Sequence, residues 1–167
     1  RASGLEPRGR SAALAGAGGA ASAIAFALAL QSTDPVLEPV WETDGFAEPE
    51  SVAWSDETGF LYVSNVAGAA DAADGDGFIS RVRPDGTIET LRWTENGLSA
   101  PKGLAIANGL IYATNIDAIA VFDLETGEAA GRHPVEGAGF LNDALALEDG
   151  SILFSDSRTG RIHRLAG

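Results

Sequence analysis

One phrase occurs three times in this chain, at residues 50–65, 102–115 and 143–156. The copies read ESVAWSDETGFLYVSN, KGLAIANGLIYATN and DALALEDGSILFSD. Each consists of an apolar strand, a turn with Gly, Asn or Asp, a second strand, and a closing Ser or Thr followed by Asn or Asp. Because the copies recur with a period of roughly 40–50 residues and contain only strands and turns, they are typical of β-propeller blades.

The repeats predict an all-β fold, a β-propeller with antiparallel four-stranded blades of which about three are present. The blades are expected at approximately residues 46–97, 98–136 and 137–167, and the third has sequence for only three strands. Residues 31–45 are predicted to be a linker with one edge strand, Val36–Glu42. That strand contains Pro39 and belongs on a sheet edge, because proline cannot donate a ladder hydrogen bond.

The number of blades bears on whether the chain is complete. Propellers close with about four to eight blades, and an open last blade leaves a row of unpaired backbone groups. We therefore expect the chain to be a fragment of a longer protein, and the alternative is a homodimer formed through the open blade edges. In closed propellers the N-terminus often donates the outer strand of the last blade, and Val36–Glu42 is the candidate here.

The first 30 residues have a different composition from the rest. Arg8 and Arg10 precede an uncharged run of 20 residues, Ser11 to Leu30, which ends with small residues at Ala27 and Ala29. This pattern predicts a secretory signal peptide and a periplasmic or secreted protein. A run of that length also suffices for an uncleaved anchor, which would make the membrane a partner. The many alanines and glycines make the run weakly hydrophobic and favour cleavage.

The charge balance excludes one class of partner. The chain has 24 Asp and Glu against 11 Lys and Arg, a net charge of −13. Such a surface repels phosphate groups, so we expect no nucleic-acid partner. The chain has no cysteine, which excludes disulfides and thiolate metal sites.

Three segments of the chain resemble the senescence-marker-protein/gluconolactonase family of six-bladed propellers. They are ESVAW at residues 50–54, APKGLA at residues 100–105 and FLNDAL at residues 140–145. The likeness covers residues 45–167, about half of a family member, and the P-x-G-[LIV]-[AV] strand opening is also similar to NHL-repeat propellers. The resemblance implies six blades in the complete protein and hydrolysis of a small lactone.

The resemblance also implies roles for individual residues. Glu50 matches a metal-ligand Glu of the first blade, and Asn142 matches a substrate-facing Asn beside Asp143. Lys102 stands at the corresponding position of the second blade, where it would contact substrate or pair with an acidic ligand. The family's remaining metal ligands would lie beyond Gly167, so we expect this chain to be inactive alone.

Elementary geometry places the same residues together. The first strand of each blade lines the central tunnel, so Glu50, Lys102, Asn142 and Asp143, at the starts of such strands, should converge near the axis. Oxygen ligands suit Ca²⁺ or Mg²⁺, and Zn²⁺ less well without His or Cys. A bound cation would polarise a lactone carbonyl, with Asp143 as general base. The structural alternative is that these side chains cap strand ends or bind loop amides.

Two further patterns are assigned no catalytic role. Residues 71–80 resemble an EF-hand loop, but Ala72 and Arg83 occupy the positions that need Asp and a bidentate Glu, which favours a plain connector. His133 and His163 lie away from the expected tunnel, and no G-x-S-x-G elbow accompanies them, which favours ordinary strand histidines.

Two functions are compatible with these observations. The first is an exported, lactonase-like propeller that hydrolyses a small lactone or ester with a divalent cation. The second is a non-catalytic propeller that binds a peptide, a glycan or a partner protein.

Overall fold

The computed structural model describes residues 23–25, 37–94 and 97–166, and every regular element in them is a β-strand. The strands, in chain order, are β1 (Ala23–Ala25), β2 (Glu38–Trp41), β3 (Pro49–Ser55), β4 (Phe60–Asn65), β5 (Phe78–Val82), β6 (Ile88–Thr90), β7 (Pro101–Ala107), β8 (Leu110–Asn115), β9 (Ala118–Asp123), β10 (Ala129–Pro134), β11 (Leu141–Ala146), β12 (Ile152–Asp156) and β13 (Arg161–Leu165).

The strands form three antiparallel blades and one separate pair. Strands β3–β6 make the first four-stranded blade and β7–β10 the second, each strand pairing with the next along the chain. Strands β11–β13 make a third sheet of three strands. Within the described parts of the chain, β2 pairs with β1 and with no other strand. The predicted fold class, an incomplete all-β propeller, is confirmed.

The outer strand of blade one is shorter than its sequence indicates. The apolar and β-branched residues 87–93 predict a full strand, but β6 covers only Ile88–Thr90 because the register with β5 shifts between Arg81 and Val82. After this shift the backbone amides of Trp93 and Thr94 donate to the Ile79 carbonyl, at 2.8 and 3.4 Å.

Blade two has hydrophobic contacts on both of its faces. Its first interface, with blade one, includes Tyr62, Ile79, Ile111 and Phe122. Its second interface, with blade three, is formed by a different set that includes Tyr112, Ile119, Val121, Leu141 and Phe154. A strand that is buried on both faces has a nearly continuous apolar sequence. Strand β9, with the sequence AIAVFD, is such a strand, and its first five residues are buried. Blade two is therefore held between its two neighbours.

The last residue of each repeated phrase binds the loop that leads into the same blade. Asn65, Asn115 and Asp156 end the second strands of the three blades. Their side-chain oxygens accept hydrogen bonds from loop amides at 2.8–3.2 Å, namely those of Ala47 for Asn65, Ser99 and Ala100 for Asn115, and Gly139 and Phe140 for Asp156. The recurring Asn or Asp is thus structural: it fixes the entry of the first strand.

Asp156 makes the third of these contacts sensitive to acid. Burial would raise its pKa, but hydrogen bonds from Gly139, Thr159 and Phe140 outweigh that effect and hold the pKa well below the ordinary value of 3.8. A carboxylate with a lowered folded-state pKa contributes stability above its unfolded pKa and loses it as the pH falls.

We predict that Asp156→Asn lowers the melting temperature at neutral pH, because one of the two acceptor oxygens becomes a donor. The variant should also lose less stability than the wild type between about pH 5 and about pH 2, since it has no carboxylate to protonate there. Melting curves by circular dichroism test both points, with the exposed turn variant Glu57→Gln as the control. If Asp156→Asn and the wild type lost equal stability in acid, Asp156 would not be a source of the acid sensitivity.

Gly103 lies at a close approach between the first strands of blades two and three. A Cβ atom at this position would lie 2.5 Å from the Ala144 nitrogen and 2.6 Å from the Asn142 carbonyl oxygen. Because both neighbours are backbone atoms, a side chain there would push the two strands apart.

We predict that Gly103→Ala lowers the free energy of unfolding by about 1–3 kcal/mol, the usual cost of overpacking. Gly131→Ala is the matched control, because the nearest atom to its added Cβ, Nε2 of His133, is 3.8 Å away. The control should change stability by less than about 0.5 kcal/mol in denaturant titrations. Equal effects of the two variants would show that the blades do not meet at Gly103.

The predicted signal peptide, residues 1–30, lies outside the described residues except for Ala23–Ala25. Export and localisation therefore stay predictions. Within the described ranges, the chain forms no long apolar helix of the kind that spans a bilayer.

Candidate functional site

The predicted site residues lie in β-bulges at equivalent positions of β3, β7 and β11, the first strands of the three blades. The pairing of β3 with β4 shifts between Pro49 and Val52, and the same irregularity occurs in β7 and in β11. In each case two residues of the first strand face one residue of the second. The bulged pairs are Glu50-Ser51, Lys102-Gly103 and Asn142-Asp143. A bulge bends its strand and re-aims its side chains, which explains why polar residues gather here.

A hydroxyl group stands opposite each bulge. Ser64 Oγ accepts a hydrogen bond from the Ser51 amide at 2.9 Å, and Ser155 Oγ accepts one from the Asp143 amide at 3.0 Å. In blade two the hydroxyl of Thr114 instead donates to the carbonyl of Asn142 in blade three, at 2.5 Å. The Ser or Thr of the repeated phrase therefore binds the backbone of a bulged pair, its own or its neighbour's.

Glu50 lies in an electrostatic environment shared with the other two blades. Desolvation raises its pKa above the ordinary value, the Lys102 ammonium lowers it, and the Asp143 carboxylate raises it again. The side chain is exposed, but neighbouring strand atoms still remove part of its hydration. The bulges that carry Glu50, Lys102 and Asp143 occupy equivalent positions of adjacent blades, and the charges of Lys102 and Asp143 both act on the Glu50 carboxyl.

Lys102 is the most buried of the four residues, with 3% of its surface exposed. Its Nζ donates to the carbonyl of Ala70 at 2.7 Å and to that of Ala100 at 3.0 Å. The same atom lies 4.2 Å from the ring centroid of Phe140, a cation–π contact. Desolvation lowers its pKa, while the Glu50 carboxylate acts in the opposite direction. The Lys102 ammonium is therefore bound by two backbone carbonyls and an aromatic ring, and it acts on Glu50 through its charge.

The pair Asn142-Asp143 belongs to the bulge of β11. Asp143 is exposed, and its Oδ1 accepts a hydrogen bond from the Ala144 amide at 3.0 Å. Asn142 is half-buried, and its carbonyl is the acceptor for Thr114 described above. A hydrogen bond thus holds the backbone of each residue, through the carbonyl of Asn142 and the amide of Asp143. The hydrogen bond from the Ala144 amide also orients the Asp143 carboxylate.

Two contributors were missed at the sequence level. Phe140 has no individual role among the sequence-based predictions, and the segment at residues 71–80 is predicted to be a plain connector. The structure places the Phe140 ring against Lys102. Desolvation lowers the pKa of Lys102, and the Asp71 carboxylate of the connector, like that of Glu50, opposes this lowering. The sequence does contain a signal for the contribution of Phe140, because Phe140 lies only two residues before the predicted site residue Asn142.

The donor set fits part of a metal site. Glu50, Asn142 and Asp143 offer the carboxylate and amide oxygens that hard cations prefer. Within residues 37–94 and 97–166, no group of three His, Cys, Asp or Glu side chains is arranged to hold a metal ion. Ca²⁺ takes about 6–8 oxygen ligands, so these residues would supply only part of its coordination shell.

Comparison with known proteins supports the fold. Neither a family model nor a curated protein sequence matches the chain. Similar solved structures include a gluconolactonase from Xanthomonas campestris, with a TM-score of 0.55 at 16% identity, covering 75% of this chain and 43% of the gluconolactonase. Nidogen, solved in a complex with laminin, has a TM-score of 0.57 at 16% identity, covering 80% of this chain and 48% of the other.

A virginiamycin B lyase from Staphylococcus aureus is also similar, with a TM-score of 0.53 at 18% identity, covering 81% of this chain and 46% of the lyase. At such identities the likeness shows the fold alone. The chain spans about half the length of these propellers. The same fold hosts different activities, so function has to be argued from the site.

The opposing influences on Glu50 give a direct prediction. Lys102→Met should raise the pKa of Glu50 further, because the ammonium that lowers it is gone. Asp143→Asn should lower the pKa of Glu50, because the carboxylate that raises it is gone. Titration of the Glu50 side-chain carbon by NMR measures both changes. Shifts of the same sign in the two variants would show that the three side chains do not share one site.

Proposed function

We propose that this propeller is a lactonase-like hydrolase, which acts on a small lactone or ester with the help of a divalent cation beside Glu50. The observation that carries the proposal is the electrostatic coupling of Glu50, Lys102 and Asp143, which stand in equivalent bulges of three neighbouring blades. The likeness of the fold to a gluconolactonase supports the choice of reaction.

Glu50 would be the principal cation ligand, and oxygen chemistry favours Ca²⁺ or Mg²⁺ over Zn²⁺. A cation bound there would supply polarisation of the substrate carbonyl and a more acidic water molecule. The Lys102 ammonium favours the ionised form of Glu50, which is the form that binds a cation. Lys102 would therefore help Glu50 to remain ionised for cation binding, although the positive charge of Lys102 would also weaken the affinity for a cation.

Asp143 would act as the general base. Its Oδ1 is occupied by the Ala144 amide, so Oδ2 is the oxygen that would accept a proton from the attacking water. The Ser155 hydroxyl fixes the Asp143 backbone and so limits the positions of the carboxylate. Asn142, the adjacent bulged residue, would bind the substrate, because an amide offers both donors and an acceptor.

A second candidate function is supported by a different observation. Nidogen, in its complex with laminin, has a similar fold and binds another protein. The same exposed bulge residues would then contact a peptide, a glycan or a partner protein without any reaction. The two candidates differ in whether Asp143 is needed for turnover or only for binding.

We predict that the protein at its natural length hydrolyses small lactones in the presence of a divalent cation. Asp143→Asn should lower kcat/KM by about 10²–10⁴, the usual contribution of a general base. Glu50→Gln should weaken cation binding, measured by calorimetry, and abolish the cation-dependent part of the rate. Glu125→Gln is the control, because Glu125 is an exposed acidic residue in the turn between β9 and β10.

Unchanged kinetics in Asp143→Asn would remove the general base from the mechanism. Binding of a protein, peptide or glycan that depends on Glu50 or Asp143, with no lactone turnover under any cation, would replace the hydrolase by the second candidate.

A further inference from the structure

We propose that Arg158 and the ring of Phe140 form an anion subsite beside the candidate site, and that the substrate is a lactone or ester with a carboxylate group of its own. The proposal rests on the proposed hydrolysis for the reacting group of the substrate. The anion subsite itself rests on the position of Arg158, on the contacts that orient its guanidinium, and on the charges around Phe140.

Arg158 lies at the same end of blade three as the bulge of β11. The first residue of β11 pairs with Asp156, the last residue of β12, and Arg158 follows in the turn that leads to β13. The amide of Ser157 in this turn donates to the carbonyl of Phe140 at 2.9 Å. Asn142 is the second residue of β11. The turn with Arg158 and the bulge with Asn142 are therefore neighbours.

The Asp156 carboxylate holds the turn in place. Its Oδ1 accepts hydrogen bonds from the amides of Arg158 and Thr159, at 3.1 and 3.2 Å. The same carboxylate binds the amides of Gly139 and Phe140 in the loop before β11. One side chain thus fixes the backbone of Arg158 relative to that of Phe140.

The side chain of Arg158 is oriented by the loop before β11. A Cβ atom at Gly139 would lie 2.7 Å from Cβ of Arg158 and 3.0 Å from its Cγ and its Cδ. The methylene stem therefore packs where only a glycine leaves room. It leads to a guanidinium whose Cζ lies 5.7 Å from the ring centroid of Phe140, a cation–π contact. A group oriented before binding loses less conformational entropy when a ligand arrives.

The Phe140 ring has cations from two blades around it. Lys102 of blade two lies 4.2 Å from the ring centroid, in addition to Arg158 of blade three. The chain as a whole has 24 Asp and Glu against 11 Lys and Arg, so two cations at one ring reverse its general charge locally. An anionic group bound beside Phe140 would be attracted by both cations.

Arg158 is the cation of this pair that can reach a ligand. The Lys102 ammonium is buried and donates to two backbone carbonyls, whereas Arg158 is exposed. Within residues 37–94 and 97–166, the arginines that form ion pairs with carboxylates do not include Arg158; they are Arg81, Arg83, Arg132 and Arg164.

The chemistry of a guanidinium points to the class of ligand. Its N–H donors form a planar fork that binds a carboxylate through two parallel hydrogen bonds. A substrate with its carboxylate at Arg158 and its ring ester near Asp143 would be an acidic lactone. Hydrolysis adds water to the ester carbonyl and breaks the ring C–O bond, so the product carries two carboxylates.

Two six-carbon lactones test the substrate class. Glucaro-1,4-lactone has a carboxylate at its sixth carbon, where glucono-1,4-lactone has a hydroxymethyl group. With the protein at its natural length and a divalent cation, we expect kcat/KM to be at least about tenfold higher for glucaro-1,4-lactone. Equal values for the two lactones, or a preference for the neutral one, would overturn the proposal.

Arg158→Gln tests the residue. The variant should raise KM for glucaro-1,4-lactone by at least about tenfold and change KM for glucono-1,4-lactone by less than about twofold. Its kcat should stay nearly unchanged, because Arg158 would bind the carboxylate equally in the ground state and in the transition state. An equal change of KM for both lactones would overturn the subsite.

Arg164→Gln is the matched control, because it removes the same charge from the same blade. Arg164 forms an ion pair with Asp149, which lies in the turn between β11 and β12 at the opposite end of blade three. The control should leave both KM values unchanged. An effect equal to that of Arg158→Gln would show that net charge, and not a subsite, governs binding of the acidic lactone.

Gly139→Ala tests the orientation of Arg158 without a change of charge. The added Cβ would displace the methylene stem, so the variant should also raise KM for glucaro-1,4-lactone and spare glucono-1,4-lactone. Gly131→Ala, with open space around its Cβ, should change neither value. Circular dichroism confirms that each variant is folded. A folded Gly139→Ala with the KM values of the wild type would show that Gly139 does not orient a binding group.

Binding measured without turnover separates this proposal from the proposed hydrolysis. If neither lactone is hydrolysed, calorimetric binding of glucaro-1,4-lactone that Arg158→Gln weakens would still support the subsite, while the hydrolase proposal would fail. If both lactones are hydrolysed and Arg158→Gln changes neither KM, the hydrolase proposal stands and the subsite is overturned. Absence of binding at millimolar glucaro-1,4-lactone would also overturn the subsite.

Discussion

The hydrogen bond between a hydroxyl group and a bulged backbone is the interaction on which the site depends. An extra residue in a strand leaves backbone groups without ladder partners, and buried groups of that kind destabilise a fold unless they are satisfied. Ser64 and Ser155 accept from the bulged amides, and Thr114 donates to a bulged carbonyl in the next blade. With these contacts in place, each first strand can carry a bulge with at least one polar side chain at an equivalent position of its blade.

Packing between the blades turns three separate bulges into one site. Blade two has an apolar core on either side, and Gly103 lets its backbone approach that of Asn142 and Ala144. The buried ammonium of Lys102 then lies among groups from all three blades. Its attraction for Glu50 opposes the effect of Asp143 on the same carboxyl, so the protonation of Glu50 reflects the arrangement of the whole array.

Much of the fold could be predicted from the repeated phrase, because strand alternation and Gly- or Asp-containing turns are local signals. The short β6 could not, since its end depends on a register shift against β5. Glu50, Lys102, Asn142 and Asp143 could be chosen from their positions at the starts of strands. Their bulges and the burial of Lys102 depend on pairing and on neighbouring blades, which no local pattern shows. The closing Asn and Asp residues are recognisable in the sequence as a repeat. Their structural role is known only from the hydrogen bonds that they accept from loop amides in the structure.

Bulges in different blades bring their side chains to one place, and the distance between two spin labels measures this convergence. The chain has no cysteine, so labels can be attached to Glu50→Cys and Asp143→Cys without other changes. We expect strong dipolar broadening for this pair and little for Glu57→Cys with Asp143→Cys, because the length of β3, roughly 20 Å, lies between residues 50 and 57. Equal broadening in the two pairs, or none in the first, would show that the bulges do not converge.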